Sequence, residues 1–383
     1  MPYLIWFIPR SPKIWVYGGR NGKFVDNTKY WFIWANQNLR NIKHIWITND
    51  SETLKNLKNS NYLAFKPFSV RGLYYIIRGK IFYYTHGASS IVRPIFLVDG
   101  IKFDFFHGIP MKTMRLEKTG KFSQASEPKF RWSVSKKLYH YYKTRYTNSD
   151  YLIIPSRIYL DQFDGYPGER IFEGYPRNIV FQLSVNELLE IIQLSQADVQ
   201  FYQEISSYSR RYIYMPTFRE GCPDFITGAF RNLEELNTLM LEQQAVFLLK
   251  LHPYTKTSVD FSAYSNIKVV NNEMDIYPFL PFIDCLISDY SSISMDFYFS
   301  NHPVIFYMFD LESYVGTSRE LDFNPQKLAG NSTALTWEEL IGLIADFDHI
   351  PSLKDQSGNG HFGSQIVTDL PKLALYIKEN ILR

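Results

Sequence analysis

The chain has 383 residues, enough for two domains of ordinary size that each bury a real interior. Hydrophobic residues make up 45% and charged residues 21%, a balance that excludes a disordered chain and a protein built of many membrane spans. The net charge of +3 is small, and Cys222 and Cys285 supply no disulfide framework, so both are expected to be unpaired in a reducing compartment.

In chain order, the first apolar burst, at 3–8, is too short for a secretory signal core. It also lacks a basic residue before it and a small-residue cleavage site after it, and reads as a buried strand. Strands are expected at 14–17 and 44–48 with a helix near 28–39 between them, then strands at 80–84, 102–106 and 151–155, with helices near 51–58 and 70–78. This alternation is the rhythm of a parallel sheet covered on both faces. The turn-rich run Gly174-Tyr-Pro-Arg-Asn178 ends it.

The rhythm restarts with a helix at 186–194 and strands at 212–215, 246–251, 267–270, 285–288 and 304–307, with a helix at 291–299 before the last strand. Helices near 337–345 and 371–382 close the chain. The expected fold class is therefore α/β, with two Rossmann-like domains, 1–180 and 181–383, whose parallel sheets face a central cleft. No short-period repeat or low-complexity tract interrupts this pattern.

No stretch reaches the roughly 18 apolar residues a spanning helix needs, so any membrane contact is expected to be peripheral. Charge is nevertheless uneven: ten Lys or Arg lie between positions 111 and 146 against Glu117 and Glu127, a local charge of +8. Trp132 and several tyrosines are interleaved with these bases. That composition suits a helix on an anionic lipid surface, with Lys129, Arg131, Trp132, Lys136 and Lys137 as contacts. A solvated basic insert is the alternative, and nucleic acid is not an expected partner because no nucleic-acid fingerprint accompanies the charge.

In open parallel sheets, ligands bind beyond the carboxyl ends of the strands, so residues there come first. His107-Gly-Ile-Pro-Met-Lys112 follows the strand at 102–106. His107 can take a hydroxyl proton as a general base, Gly108 allows close approach to the backbone, and Lys112 offers a charge to phosphate. The same position also suits a histidine merely hydrogen-bonded in a turn. His252 follows the strand at 246–251 and could stabilise charge developing on a leaving phosphate.

Asp284-Cys-Leu-Ile-Ser-Asp-Tyr-Ser-Ser292 ends a strand and opens a helix, which makes Ser291 and Ser292 candidates for an anion site or a simple N-cap. Asp289 is placed to orient that loop or a ribose. Met215-Pro-Thr-Phe-Arg219 brings Thr217 and Arg219 to another strand end, and Arg319 adds a second guanidinium; each arginine suits phosphate or a surface ion pair. Glu312 is positioned either for ribose hydroxyls or as a helix-start carboxylate. A phosphate-binding P-loop, a dinucleotide fingerprint, a clustered Cys/His metal spacing and a hydrolase nucleophile elbow are all missing from the sequence.

Taken in order, Phe106-His-Gly-Ile-Pro-Met-Lys112, Gly174-Tyr-Pro-Arg-Asn178, Met215-Pro-Thr-Phe-Arg219, Leu251-His-Pro253, Ile287-Ser-Asp-Tyr-Ser-Ser292 and Ile305-Phe-Tyr-Met-Phe-Asp-Leu-Glu312 resemble the CDP-glycerol glycerophosphotransferase family of teichoic acid and capsule synthesis. The resemblance implies a GT-B architecture, a CDP-glycerol or CDP-ribitol donor, and a polymer or lipid-linked saccharide acceptor. It also implies His107 as the base on the acceptor hydroxyl, His252 near the donor phosphates, and Ser291 and Ser292 on the pyrophosphate. Thr217, Asp289, Arg219, Glu312 and Arg319 would complete the donor site. CMP would leave as the hydroxyl attacks phosphorus in line.

Phe106 and Ile109 stand where the family usually has Trp and Thr. The resemblance further implies a minimal catalytic module, cytoplasmic and held peripherally at the inner face of the bacterial membrane. No cofactor is expected to be required, with Mg2+ left open as a helper. A GT-B glycosyltransferase using a nucleotide sugar is the second reading of the same signals, and a non-catalytic membrane-binding module is the third.

Overall fold

The computed structural model describes residues 8–108, 148–219, 222, 224–252, 254–317, 330–356 and 368–382. Contacts divide the chain into two compact units, 1–107 with 114–179 and 366–383, and 108–113 with 180–365.

The first unit carries seven strands: β1 (Ser11–Tyr17), β2 (Lys43–Ile47), β3 (Ala64–Phe65), β4 (Gly79–Tyr84), β5 (Ile101–Asp104), β6 (Tyr151–Ile153) and β7 (Glu169–Ile171). Their order is β3-β2-β1-β4-β5-β6-β7, and every pairing is parallel. Strands β1, β2 and β4 are buried on both faces, which is why they read as continuous apolar runs rather than alternating ones. Helix α1 (Asp26–Asn38) lays Trp31 and Phe32 on the sheet, Trp31 stacking on Trp15 at 6.2 Å and Phe32 meeting Trp46 at 5.5 Å. Asp50 and Ser69 cap α2 (Ser51–Asn59) and α3 (Val70–Arg78) by accepting from the N–H groups of Thr53 and Gly72.

The second unit carries β8 (Arg210–Met215), β9 (Ala245–Leu249), β10 (Ile267–Val269), β11 (Cys285–Ser288), β12 (Val304–Tyr307) and β13 (Thr333–Ala334), ordered β10-β9-β8-β11-β12-β13 and again all parallel. Its helices include α4 (Val185–Ile192), α5 (Gln196–Ile205), α6 (Leu233–Glu242), α7 (Ile293–Phe297), α8 (Leu311–Thr317) and α9 (Trp337–Ala345). Capping boxes at Ser184/Glu187 and Thr336/Glu339 start α4 and α9. Tyr212, Tyr214, Phe247 and Ile287 sit in a core that Trp337 and Leu340 close.

Four features differ from the sequence expectation. Strand β5 ends at Asp104, because the Asp104 carboxylate accepts from the Phe106 N–H at 2.8 Å and turns the chain; Phe106 then takes a left-handed φ of 55°. Helix α7 has only five residues before a 3-10 turn, Tyr298–Ser300. The last helix, α10 (Leu370–Tyr376), continues as a π-helical turn, Ile377–Ile381, and belongs to the first unit rather than to a domain spanning 181–383. Thr368 Oγ1 donates to the Tyr175 carbonyl at 3.1 Å, Lys372 pairs with Glu173 at 3.0 Å, and Tyr376 OH donates to Glu169 at 2.9 Å. Finally, α5, α6 and the short strands β3, β7 and β13 were not expected. Positions 3–7 lie outside the described residues, and no helix among those described is long and apolar enough to cross a membrane.

Candidate active site

Both sheets reverse their strand order once, between β1 and β4 in the first unit and between β8 and β11 in the second. Crevices for ligands open beyond the carboxyl ends of the strands at such reversals, so the two sites are built from the loops that leave these strands.

In the first unit the chain beyond β5 presents His107. Three contacts fix its backbone: Asp104 holds the Phe106 N–H, Asn27 Nδ2 donates to the Phe106 carbonyl at 2.9 Å, and Arg177 Nη1 donates to the His107 carbonyl at 2.9 Å. Arg177 Nη1 also pairs with Asp26 at 2.9 Å, and its backbone N–H reaches Asn27 Oδ1 at 3.1 Å. Gly108 follows with φ 150°, a backbone setting that side chains disfavour. The His107 ring stacks on Phe106 at 4.3 Å and on His86, just beyond β4, at 5.1 Å.

These surroundings set the protonation states. The His107 pKa is lowered, first by desolvation, then by His86 and the charges of Arg177 and Arg20, with Asp26 opposing. The residue is exposed overall, so water offsets part of that desolvation. His107 is a neutral imidazole at neutral pH, the form a general base requires. His86 is lowered as well, by desolvation foremost. Asp104 is pushed up to about 7 by burial, against its bonds from Phe106 and Ser149. For Asp26, burial alone would raise the pKa, but Arg177 and the two histidines hold it below the usual value.

In the second unit Asp289 is fully buried at the end of β11 and ties two loops together. It accepts from the Thr217 N–H at 2.9 and 3.1 Å, from its neighbour Tyr290 N–H at 2.5 Å, and from Arg219 Nη2 at 2.8 Å. Arg219, only 4% exposed, also makes a two-pronged pair with Asp310 at 2.7 and 3.0 Å and donates to the Thr217 carbonyl at 2.6 Å. The rings of Phe225, Tyr290 and Tyr314 surround its guanidinium at 4.8, 5.1 and 4.7 Å. Burial works against this charge, yet Asp289 and Asp310 outweigh it and the pKa is raised. Arg219 therefore fixes the β8 and β11 loops through its ion pairs, the second of the two roles the sequence left open for it.

The other candidate groups there are hydroxyls and an imidazole. Thr217 Oγ1 is buried without a partner among the described residues. Ser291 and Ser292 are half-buried, and Ser292 begins α7 with no side-chain capping bond. His252 lies beyond β9, its ring 5.4 Å from that of Phe218, and Nδ1 accepts from the Tyr254 N–H at 3.2 Å, which leaves the neutral ring its proton on Nε2. Glu312 is exposed in the first turn of α8.

The chain matches the family model for CDP-glycerol:poly(glycerophosphate) glycerophosphotransferases over residues 3–357. It belongs to this family. Among curated relatives, the teichoic acid poly(glycerol phosphate) polymerase of Staphylococcus epidermidis is 25% identical over 312 residues, 78% of this chain and 40% of that protein. The polymerase of the same description from Bacillus spizizenii is 22% identical, over 89% of this chain and 85% of its own. The chain thus spans well under half of the first relative's length. Among solved structures, the wall teichoic acid polymerase TagF superposes with a TM-score of 0.69 at 19% identity, covering 96% of this chain and 87% of its own. A UDP-GlcNAc 2-epimerase from Neisseria meningitidis shares the fold at a TM-score of 0.51 and 11% identity, over 96% and 98% of the two chains.

Of the residues singled out in the sequence, Thr217, Asp289, Ser291 and Ser292 lie at the switch point of the second sheet, and His252 lies at the end of the adjacent strand. Lys112, Lys129, Arg131, Trp132, Lys136, Lys137 and Arg319 lie outside the described residues. His86, Asp26, Arg177 and Asp310 were missed as functional or positioning groups. His86 carried the same strand-end signal as His107, whereas the others act through partners 70 to 151 positions away.

Proposed function

We propose that the chain transfers glycerol phosphate from CDP-glycerol to a hydroxyl of a growing teichoic-acid-like polymer. What supports this most is the family membership, joined to a neutral imidazole on a fixed backbone at His107. The acceptor hydroxyl gives its proton to His107 as its oxygen bonds to the phosphorus that bears glycerol; the bond from that phosphorus to the CMP oxygen breaks and CMP leaves. Thr217, Ser291, Ser292 and the Nε2–H of His252 would donate to the donor's phosphate oxygens, and Asp289 with Arg219 holds their loops in place. Donor binding is proposed to need no metal ion, so the affinity for CDP-glycerol should persist in chelator, and its loss there would overturn that point.

The test is CMP release by the purified protein from CDP-glycerol and an oligo(glycerol phosphate) acceptor, alongside CDP-ribitol, UDP-sugars and GDP-sugars. Turnover of CDP-glycerol supports the reading; turnover of a sugar nucleotide alone sinks it. The basic aromatic run at 111–146 further supports peripheral attachment to the inner face of the membrane, in a wall or capsule pathway. Lys136→Glu/Lys137→Glu is expected to weaken sedimentation with phosphatidylglycerol vesicles by at least about thirtyfold, since each lost base contributes roughly 1 kcal/mol at an anionic surface and each new carboxylate adds repulsion.

A further inference from the structure

The first unit holds a cavity of about 520 Å³ that none of the roles above uses. This lies within the roughly 300–1,000 Å³ typical of small-ligand sites. Its wall comes from the loop after β1 (Arg20, Gly22), from Thr48 after β2, from Phe68 after β3, and from His86 and Arg93 after β4. It therefore sits beside the strand-order reversal of the first sheet, where such folds take ligands.

The β1 loop, Gly18-Gly19-Arg20-Asn21-Gly22, is held in one shape. Thr48 Oγ1 donates to the Gly22 carbonyl at 2.6 Å, and Gly22 takes a left-handed φ of 79°. A Cβ on Gly22 would lie 2.7 Å from Thr48 Oγ1, and one on Gly19 would lie 2.1 Å from the Lys23 carbonyl oxygen. Arg20 is thus presented from a rigid turn, half-buried, while Arg93 stands exposed on the opposite loop. Neither guanidinium makes a side-chain hydrogen bond or ion pair with another described residue, and no carboxylate among the described residues lines the cavity. His86 Nδ1 is buried and also lacks a partner.

Two unpaired guanidiniums and an unsatisfied imidazole around one polar cavity call for an anion with several oxygens, and the planar N–H fork of arginine matches phosphate. A nucleotide is a poor match, because ribose hydroxyls want a carboxylate partner and the described lining offers none. The apolar lip at Phe68 suits a short carbon stretch between charged groups. We propose that this cavity binds a phosphodiester of the acceptor chain, with Arg20 and Arg93 on its oxygens. The proposal rests on the acceptor being a glycerol phosphate polymer, as argued above.

Calorimetric titration tests it, using an oligo(glycerol phosphate), an uncharged oligoglycerol of equal length and CDP, on the wild type and on Arg20→Gln, Arg93→Gln and the double variant. Each single variant is expected to bind the charged oligomer about tenfold more weakly, the size of one lost charge-assisted hydrogen bond. CDP affinity and melting temperature should stay unchanged, and the uncharged oligomer should not bind. Equal oligomer affinity in the double variant, no oligomer binding by the wild type, or CDP affinity that falls in step would each overturn the assignment. The transfer assay separates this from the broader reading: CMP release with an unaltered KM for the oligomer in the double variant removes the cavity's role and leaves the transferase. Oligomer binding that depends on the arginines without any CMP release removes the transferase and leaves the binding site.

Discussion

The two sheets share one strand order, and each reverses it at a crevice, yet the crevices have opposite electrostatic designs. In the second unit Arg219, at the reversal, is neutralised by Asp289 and Asp310 and wrapped by three rings. Beside it stand the uncharged hydroxyls of Thr217, Ser291 and Ser292, the donor ligands proposed above. In the first unit Arg20 and Arg93 have no carboxylate partners, and two stacked histidines stay neutral. The shared backbone topology fixes where ligands can enter. The side chains decide whether a crevice offers free charge or a rigid frame of hydroxyls, which fits one that orients a donor and one that grips an anionic chain and moves a proton.

The sharpest way to break this comparison is to remove the base. His107→Ala is expected to lower CMP release by about 10²–10⁴-fold while CDP binding persists, the range general bases contribute. Because desolvation and nearby positive groups lower the His107 pKa, the acid limb of the wild-type rate profile should lie below the ordinary histidine value of about 6.5. Initial rates between pH 4 and 8 check this. A limb at or above 6.5 would assign the proton transfer to another group.

Arg219→Gln strikes the frame of the second crevice instead. It leaves Asp289, fully buried, and Asp310 without their cation, and breaking a buried pair in this way costs about 3–5 kcal/mol. Urea unfolding should show that loss. Arg219→Lys should recover only part of it, since an ammonium cannot reproduce the two-pronged contact with Asp310. A merely weakened donor affinity with full stability would return Arg219 to the role of phosphate ligand.

Acid should loosen the first unit through a histidine remote from the chemistry. His44 is 3% exposed, its Nδ1 accepts from Tyr17 OH at 2.8 Å, and burial depresses its pKa to about 4 against a bond to the Leu39 carbonyl. The unfolded chain takes up this proton near pH 6.5, whereas the folded one resists until about 4, so stability is lost as pH falls through that window. The total is about 3 kcal/mol. Melting temperatures of the wild type and His44→Gln between pH 7 and 4 test it, the variant showing the shallower decline.

The sequence showed the parts of this design that depend on local chemistry. Strands such as Cys285–Ser288 and Val304–Tyr307 are legible because burial on both faces writes an unbroken apolar run. Two-residue strands such as Ala64–Phe65 carry too little pattern to be seen. Helix α6 did announce itself, through Asn232 capping the Glu235 N–H, and that signal went unused. His107 and His252 were visible as strand-end histidines, and His86 obeys the same rule. The pairing of Arg177 with Asp26 joins positions 151 apart, and that of Arg219 with Asp310 spans 91, so no local pattern could separate a clamp from a ligand.

The smallest effect tests what remains at the second crevice once Arg219 is assigned to the frame. Thr217 Oγ1 is buried without a partner among the described residues, and Ser292 begins its helix with no capping bond from its side chain. Helix α7 is only five residues long, so the hydroxyls rather than an extended helix dipole should carry donor binding. Ser291→Ala/Ser292→Ala is then expected to weaken CDP about tenfold, near 1.4 kcal/mol, with no change in melting temperature. Thr217→Val, which preserves the shape and removes the oxygen, should weaken CDP by a similar or smaller factor. If both variants bind CDP as tightly as the wild type, the donor phosphates are held elsewhere, and the contrast between a crevice of free charge and one of framed hydroxyls loses its functional meaning.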